Sequence, residues 1–598
     1  MTATPGLLRI ANCSGFFGDR VEAAREMVEG GPIDVLTGDW LAELTMYILH
    51  KTRERSGGYA RTFLRQLEDV LPTCLERGIT IVSNAGGLNP QGLADAVREL
   101  ARRQGVEVSV ASVSGDDITD RVPELLAQGH PFENMDTGER LSAGDPLVTA
   151  NAYLGARPIA DALAAGAQVV VTGRVTDASV IVGPALQAFS WADTDLDAIA
   201  GAVVAGHVIE CGGQCCGGNY AFFPEIPNPG RIGFPIAELH PDGSSVITKH
   251  PGTGGAVTVG TVTAQLLYEI GGPRYLSPDA VARFDTIALA ELGPDRVSIS
   301  GVKGEAPPPT LKVTANLDGG YRNAMTLAIT GPLVEEKARL AAATVWAGIE
   351  GGPAGFAETS ADLSGDLTGG GLAFLRLGVR GDDPAAVGRA FSGAVVETSL
   401  VSYPGTFFTS APTSAQQVAR YWPTTIAAEV VTPRVECEGT LIDVTPRPDW
   451  SAHSHAVPPL PLATPIRGAE VRGPTVTVPL WVLIGGRSGD KGGDANVGLW
   501  ADSDPVAEWL LNSFGVEAFR DCLPEAASFE VVRYELANLR SVNFVVRGIL
   551  GWGVASNLRL DTQAKGLAEL LRSRSVTVPA ALVERGKPAE RLLSSSRP

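Results

Sequence analysis

The first 180 residues repeat one pattern five times: a short apolar run, a polar turn, then a helical stretch. Runs at 7–11, 33–36, 79–82, 106–113 and 168–172 are followed by turns carrying Asn12, Asp39, Asn84, Asp116 with Asp117, and Arg174 with Asp177. Alternation of this kind predicts a parallel sheet covered by helices on both faces. Parallel strands require long crossovers of one hand, so every turn that follows a strand should emerge on the same edge of the sheet. Ligands bind outside that edge in open sheets. A closed barrel would gather the same turns, but the irregular spacing favours an open sheet.

A chain of 598 residues exceeds what one core supports, so several units are expected. The fold class read from the pattern is α/β, a mostly parallel doubly wound sheet with an α+β subdomain and a small C-terminal α+β domain. The divisions expected are a core domain at 1–290, a subdomain at 291–450, a linker at 451–474, a small domain at 475–582 and a disordered tail at 583–598. Residues 433–468, rich in Pro, Ser and His, read as a linker or surface loop. In the subdomain, separate strands are expected at 311–316 and 325–329. In the small domain a strand at 478–484 leads into a glycine-rich polar turn at 485–494, then a strand at 496–501. A net charge of -19 argues against non-specific binding to nucleic acid or an anionic membrane, while leaving room for a small anionic ligand. The first eight residues do not read as a signal peptide, and no apolar run is long enough for a membrane helix. Seven cysteines are too few for a secreted disulfide framework, so a cytoplasmic location is expected.

The densest chemistry lies between Gly206 and Asn219, where His207, Glu210, Cys211, Gln214, Cys215 and Cys216 stand among glycines. On a helix His207 and Glu210 share a face. They offer either a metal site or an acid–base pair; in the competing reading they cap the helix end and the thiols are small core residues. Arg174 can clamp a carboxylate or phosphate or pair with Asp177 to hold the turn. Asp39 and Glu43 are either paired acids or a helix cap beside a solvated side chain. The turn holding Asn84, Gly86 and Gly87 resembles a loose phosphate loop without the dinucleotide fingerprint. Arg487, Asp490, Lys491 and Asn496 crowd the turn that opens the small domain, either to hold an anionic group or to dock on the larger domain.

Several stretches together resemble the acyclic terpene utilization (AtuA) family: Gly18-Asp19-Arg20, Asp39-Trp40-Leu41-Ala42-Glu43, Ser83-Asn84-Ala85-Gly86-Gly87, Gly173-Arg174-Val175-Thr176-Asp177 and the run from Gly206 to Gln214. The turn from Arg487 to Asn496 resembles the start of that family's ferredoxin-like domain. The resemblance implies work on citronellol- and geraniol-type compounds through CoA thioesters. The expectation is an enzyme acting on a branched acyl thioester by hydration/dehydration, C–C cleavage or hydrolysis. The alternatives are a non-catalytic acyl-CoA-binding partner of a carboxylase and a metal-dependent hydrolase. No cofactor is assigned beyond a possible divalent metal, and a homo-oligomer is expected. The roles assigned are His207 or Asp39 as base, Glu210 or Asp177 as its partner, and Asn84, Gly86, Gly87 and Arg174 as stabilisers of developing charge. Asp116, Asp117, Gln214, Arg487, Asp490, Lys491 and Asn496 are assigned to substrate.

Overall fold

A computed structural model describes residues 6–448, 450 and 473–583. Nearly all of the expected tail and of the expected linker lies outside these residues. Five strands, β1 (Leu8–Asn12), β2 (Val35–Gly38), β3 (Thr80–Ser83), β4 (Val110–Ser114) and β6 (Val169–Thr172), form a parallel array in the order β1-β2-β3-β6-β4. The remaining strand before β6, β5 (Leu147–Ala152), belongs to a different sheet.

The sheet is mixed rather than mostly parallel, which corrects the expectation. Antiparallel strands extend it on both sides to eleven. β7 (Pro235–Leu239) pairs with β1 and β8 (Ser245–Lys249) with β7, and the hairpin of Ala288–Gly293 and Arg296–Ser300 completes that side. On the far side Arg434–Cys437 pairs with β4, and Thr440–Ile442 follows. Residues expected to lie in a loop after 433 therefore close a sheet edge. Sequence pattern identifies a strand but not its partner, because an antiparallel neighbour needs no local helix to announce it.

Side chains alternate between two cores, as period-2 geometry requires. Ile10, Val35, Val82 and Val170 face one, with helices Arg157–Ala164, Ser179–Phe189 and Leu196–Ile209. Ala11, Leu36, Ile81, Val169 and Val171 face the other, with helices Ala23–Glu29, Arg61–Arg77 and Pro90–Gln104. The last of these shows how locally the boundaries are set. The Asn89 side chain accepts from the Gly92 N–H at 2.9 Å, Pro90 occupies the first turn, and Gly105 ends the helix in the left-handed region.

A second sheet is organised by the 21-residue strand Thr310–Thr330, a single strand where two were expected. Its first half pairs with β5 and with Gln416–Ala427, its second with Leu372–Gly381. The small domain is a four-stranded antiparallel sheet of Ile484–Lys491, Asp494–Ala501, Ser541–Val546 and Val531–Leu536. Residues 485–491, expected within a polar turn, belong to the first of these strands. Its glycines let neighbours approach: a Cβ on Gly485 would lie 2.2 Å from the Trp500 ring. Among the described residues no helix is long and apolar enough to cross a membrane.

Candidate functional site

The turns after the parallel strands meet at one rim, which sets Asp39, Asn84, Asp116 and Arg174 side by side. Asn84 Nδ2 donates to Asp39 Oδ1 at 2.5 Å, and Asn84 Oδ1 accepts from the Trp40 N–H at 2.8 Å. The Leu41 N–H also donates to Asp39 Oδ1, at 2.9 Å. Asn84 is thus consumed in fixing Asp39. Arg174 Nη1 donates to Asp177 Oδ1 at 2.7 Å and to the Leu41 carbonyl at 3.1 Å, and its guanidinium stacks 4.1 Å from the centre of the Tyr153 ring. Asp116 Oδ2 accepts from the Arg174 N–H at 2.8 Å and from Asn151 Nδ2 at 2.9 Å, beneath the arginine.

Three residues of the predicted set near this rim are spent elsewhere. Asp117 is exposed and binds the Thr119 N–H and hydroxyl, capping the next turn. Around Gly86 and Gly87 the backbone is spent on the protein: the Gly87 N–H donates to the Asn84 carbonyl, Leu88 to Gly58 and Asn89 to Gly86. These glycines permit close packing, since a Cβ on Gly86 would lie 2.5 Å from the Thr172 carbonyl oxygen.

His207 and Glu210 end the helix Leu196–Ile209 and reach the rim through Asn12, whose Nδ2 donates to the Glu210 carbonyl at 3.2 Å. His207 Nδ1 stands 3.2 Å from Glu210 Oε1 but is misaligned for a hydrogen bond. Both imidazole nitrogens, Glu210 Oε2, Arg174 Nε and Asn151 Oδ1 are buried without a well-aligned partner among the described residues. Tyr275 and Phe284 rings lie 5.0 and 5.5 Å from the imidazole. Burial, with the Lys491 charge, pushes His207 down to about 4, so the ring is neutral at physiological pH. Burial and then the Asp177 charge push Asp39 well up, and the same two causes raise Glu210, where Glu269 adds to them. Cys211 and Cys215 are also driven up, first by burial, and remain thiols rather than nucleophilic thiolates. Among the described residues no three His, Cys, Asp or Glu side chains converge as metal ligands would.

Sequence reasoning missed a second layer. Lys312 Nζ donates to Glu43 Oε1 at 2.8 Å, and the Tyr421 hydroxyl donates to the same oxygen at 2.5 Å. Lys312 also lies 5.0 Å from the Tyr153 ring centre, which joins this layer to Arg174. Burial alone would raise Glu43; the Lys312 ammonium and the two hydrogen bonds outweigh it and hold the carboxyl below its usual range. Glu43 and Lys312 keep 25% and 34% of their side-chain surface, so solvent reaches this ion pair. The sequence clue was a lone lysine in the apolar strand Thr310–Thr330; Tyr421 carried none.

The small domain closes this space. Asn496 Nδ2 donates to the Leu267 carbonyl at 2.6 Å, and its Oδ1 accepts from the Glu269 N–H at 2.8 Å, so Asn496 docks the domain. Arg487 binds Gln214 Oε1 and stacks 4.4 Å from the Tyr268 ring centre, taking Gln214 into the same interface. Asp490 pairs with Lys565 at 3.2 Å. Lys491 is the member of the set that faces the crevice: its charge acts on His207, Glu210 and Glu43, and its Nζ donates to the Glu269 carbonyl at 3.1 Å. A separate groove of about 380 Å³, lined by Glu358, Arg380, Trp552 and Arg559 among others, shares no residue with the crevice.

The profile of the acyclic terpene utilisation family protein AtuA matches residues 8–437, and that of the AtuA ferredoxin-like domain matches residues 478–577. No curated protein and no solved structure matches the chain. The first match takes in the whole rim and the Lys312 strand, and the second takes in the hairpin that covers them, so the chain belongs to the acyclic terpene utilisation family.

Proposed function

We propose that the chain is an enzyme that moves protons on a branched acyl thioester in the crevice between the rim and the small domain. The reaction class is hydration/dehydration, C–C cleavage or hydrolysis. One observation carries the reading. Acids raised by burial (Asp39, Glu210) and the cations Arg174, Lys312 and Lys491 converge on one space from three separate sheets. Burying this much charge costs stability that apolar packing would not, and perturbed carboxyls in a cleft are what proton transfer needs.

In this reading Asp39 gives and takes the proton, since a raised carboxyl is a stronger base than a solvated one. Asn84 positions Asp39 without touching substrate. Arg174, fixed by Asp177 and Tyr153, stabilises an oxyanion or enolate. His207 does not serve as the principal base, because its lowered basicity leaves it a weak proton acceptor. The acyl thioester and its branching rest on the family's association with acyclic terpene utilisation.

The test is turnover of branched and straight-chain acyl-CoA substrates by the full chain and by D39N. Proton transfer through Asp39 predicts a loss of at least about 10²-fold. Unchanged turnover in D39N removes Asp39 from the mechanism. A wild-type chain that binds the thioester but converts none belongs instead with non-catalytic binding partners.

A further inference from the structure

The groove of about 380 Å³ outside the crevice is built by two segments that the crevice does not use. One wall is the edge strand Glu358–Gly365 of the second sheet, where Glu358, Ser360 and Asp362 share one face, as period 2 requires. The other is the segment 548–559 of the small domain, with Ile549, Trp552, Ser556, Leu558 and Arg559. The volume falls within the range of small-molecule sites, roughly 300–1,000 Å³, and such sites favour boundaries between domains.

The walls are set in advance of any ligand. Arg322 Nη1 donates to the Asn557 carbonyl at 3.0 Å and Arg376 Nη1 to the Leu558 carbonyl at 2.6 Å, which lays the segment across the sheet. Asn557 Nδ2 donates to the Gly553 and Thr562 carbonyls at 2.9 and 3.0 Å and closes the loop on itself. The Arg380 and Arg420 guanidiniums lie 4.0 and 4.7 Å from the centre of the Trp552 ring, and the Trp552 carbonyl accepts from the Tyr421 N–H at 3.1 Å. A ligand that enters here meets a fixed frame and loses little to ordering it.

The charges select the ligand. Both carboxylates on the edge strand have guanidinium partners: Arg380 Nε donates to Glu358 Oε2 at 3.0 Å, and Arg376 Nη1 lies 3.6 Å from Asp362 Oδ2. Arg559 differs. Its backbone N–H donates to Asn557 Oδ1 at 3.2 Å, but among the described residues its guanidinium makes no hydrogen bond or ion pair. Ser360 Oγ and Ser556 Oγ are also buried without a partner among the described residues, although buried hydroxyls are normally paired. One free guanidinium suits one anionic group, which it can hold through two parallel N–H bonds. A cation would have to draw an arginine away from Glu358 or Asp362, and a polyanion such as a nucleotide would face those two carboxylates. Trp552, Ile549 and Leu558 supply the apolar part of the lining, so the remainder of the ligand is apolar.

We propose that this groove is a second ligand site, for a small aliphatic carboxylate: the Arg559 guanidinium takes the head group, and Trp552, Ile549 and Leu558 take the chain. The site is separate from the crevice and does not depend on the reaction proposed there.

The experiment titrates the full chain with hexanoate by calorimetry and maps the complex by hydrogen exchange. We expect slower exchange at 548–559, at 358–362 and at the Tyr421 amide, which Trp552 holds. R559M should bind hexanoate about tenfold or more weakly, the loss of a hydrogen bond to a charged group. Hexanamide, which keeps the chain and lacks the charge, should bind the wild type as weakly as hexanoate binds R559M. Circular dichroism checks the fold of R559M. Equal affinity in R559M, protection confined to crevice segments such as 39–43 and 487–496, or neither heat nor protection overturns the proposal. Inorganic phosphate that protects the groove where hexanoate does not would also overturn it, by showing an oxyanion site that makes no use of the apolar wall.

Discussion

Asp39 and Asp116 follow strands β2 and β4 at the same rim and meet different surroundings. Asp39 has one oxygen tied by Asn84 and Leu41, with the charges of Arg174 and Asp177 close by. Asp116 sits under the arginine backbone, and burial raises it to about 7. Its ordinary value is 3.8. Below that value the folded and unfolded chains both hold the proton, and the stabilisation from the raised group is fully present. As pH rises through about 7 the folded carboxyl must ionise in a buried place, and that stabilisation is lost. D116N should therefore flatten the fall in melting temperature between pH 4 and 7; an unchanged pH profile would show that Asp116 does not titrate in this window. Replacing Arg174 by Met should cut turnover by about 10²-fold or more, as removal of an oxyanion donor does, with little change in the raised Asp116 environment, which uses the arginine backbone rather than its side chain.

At the scale of the element, the hairpin of Ile484–Lys491 and Asp494–Ala501 is the device that assembles the crevice. Its glycines set the approach: a Cβ on Gly489 would lie 2.6 Å from the Tyr268 ring, and one on Gly498 would lie 2.5 Å from Leu267 Cβ. G498V should lift the strand from the 267–269 segment and destabilise the chain by about 1–3 kcal/mol, the usual range for overpacking. Hydrogen exchange at the Glu269 amide, which Asn496 holds, is the direct readout. N496A should expose the same amide by a different route, leaving Leu267 and Glu269 backbone groups without their partner at a cost of about 1–3 kcal/mol. If either variant keeps that amide protected, the hairpin is not what secures it. The sequence revealed the composition of this segment but not its form. Polar residues and glycines suggest a turn when alone, and only pairing with an apolar partner strand and with another sheet makes them a strand.

At the scale of the whole molecule, three sheets each supply part of one charge network. Glu43 comes from the helix after β2, Lys312 and Tyr421 from the second sheet, and Lys491 from the small domain. A double-mutant cycle on E43Q and K312M should give a coupling energy of about 0.5–3 kcal/mol, as expected for contacting charged residues; additivity would mean that the pair is screened by crevice water. The strand–turn–helix units and the convergence of Asp39, Asn84, Asp116 and Arg174 were legible in the sequence, because they follow from local periodicity and the handedness of crossovers. Tertiary structure alone decided the antiparallel flanks of the sheet, the burial that parts His207 from Asp39 and Glu210 in basicity, and the meeting of Glu43 with Lys312 and Lys491. These depend on which surfaces press together across hundreds of residues. A side chain's charge state is set by the neighbours and water it finds there, and neither is written in its own stretch of chain.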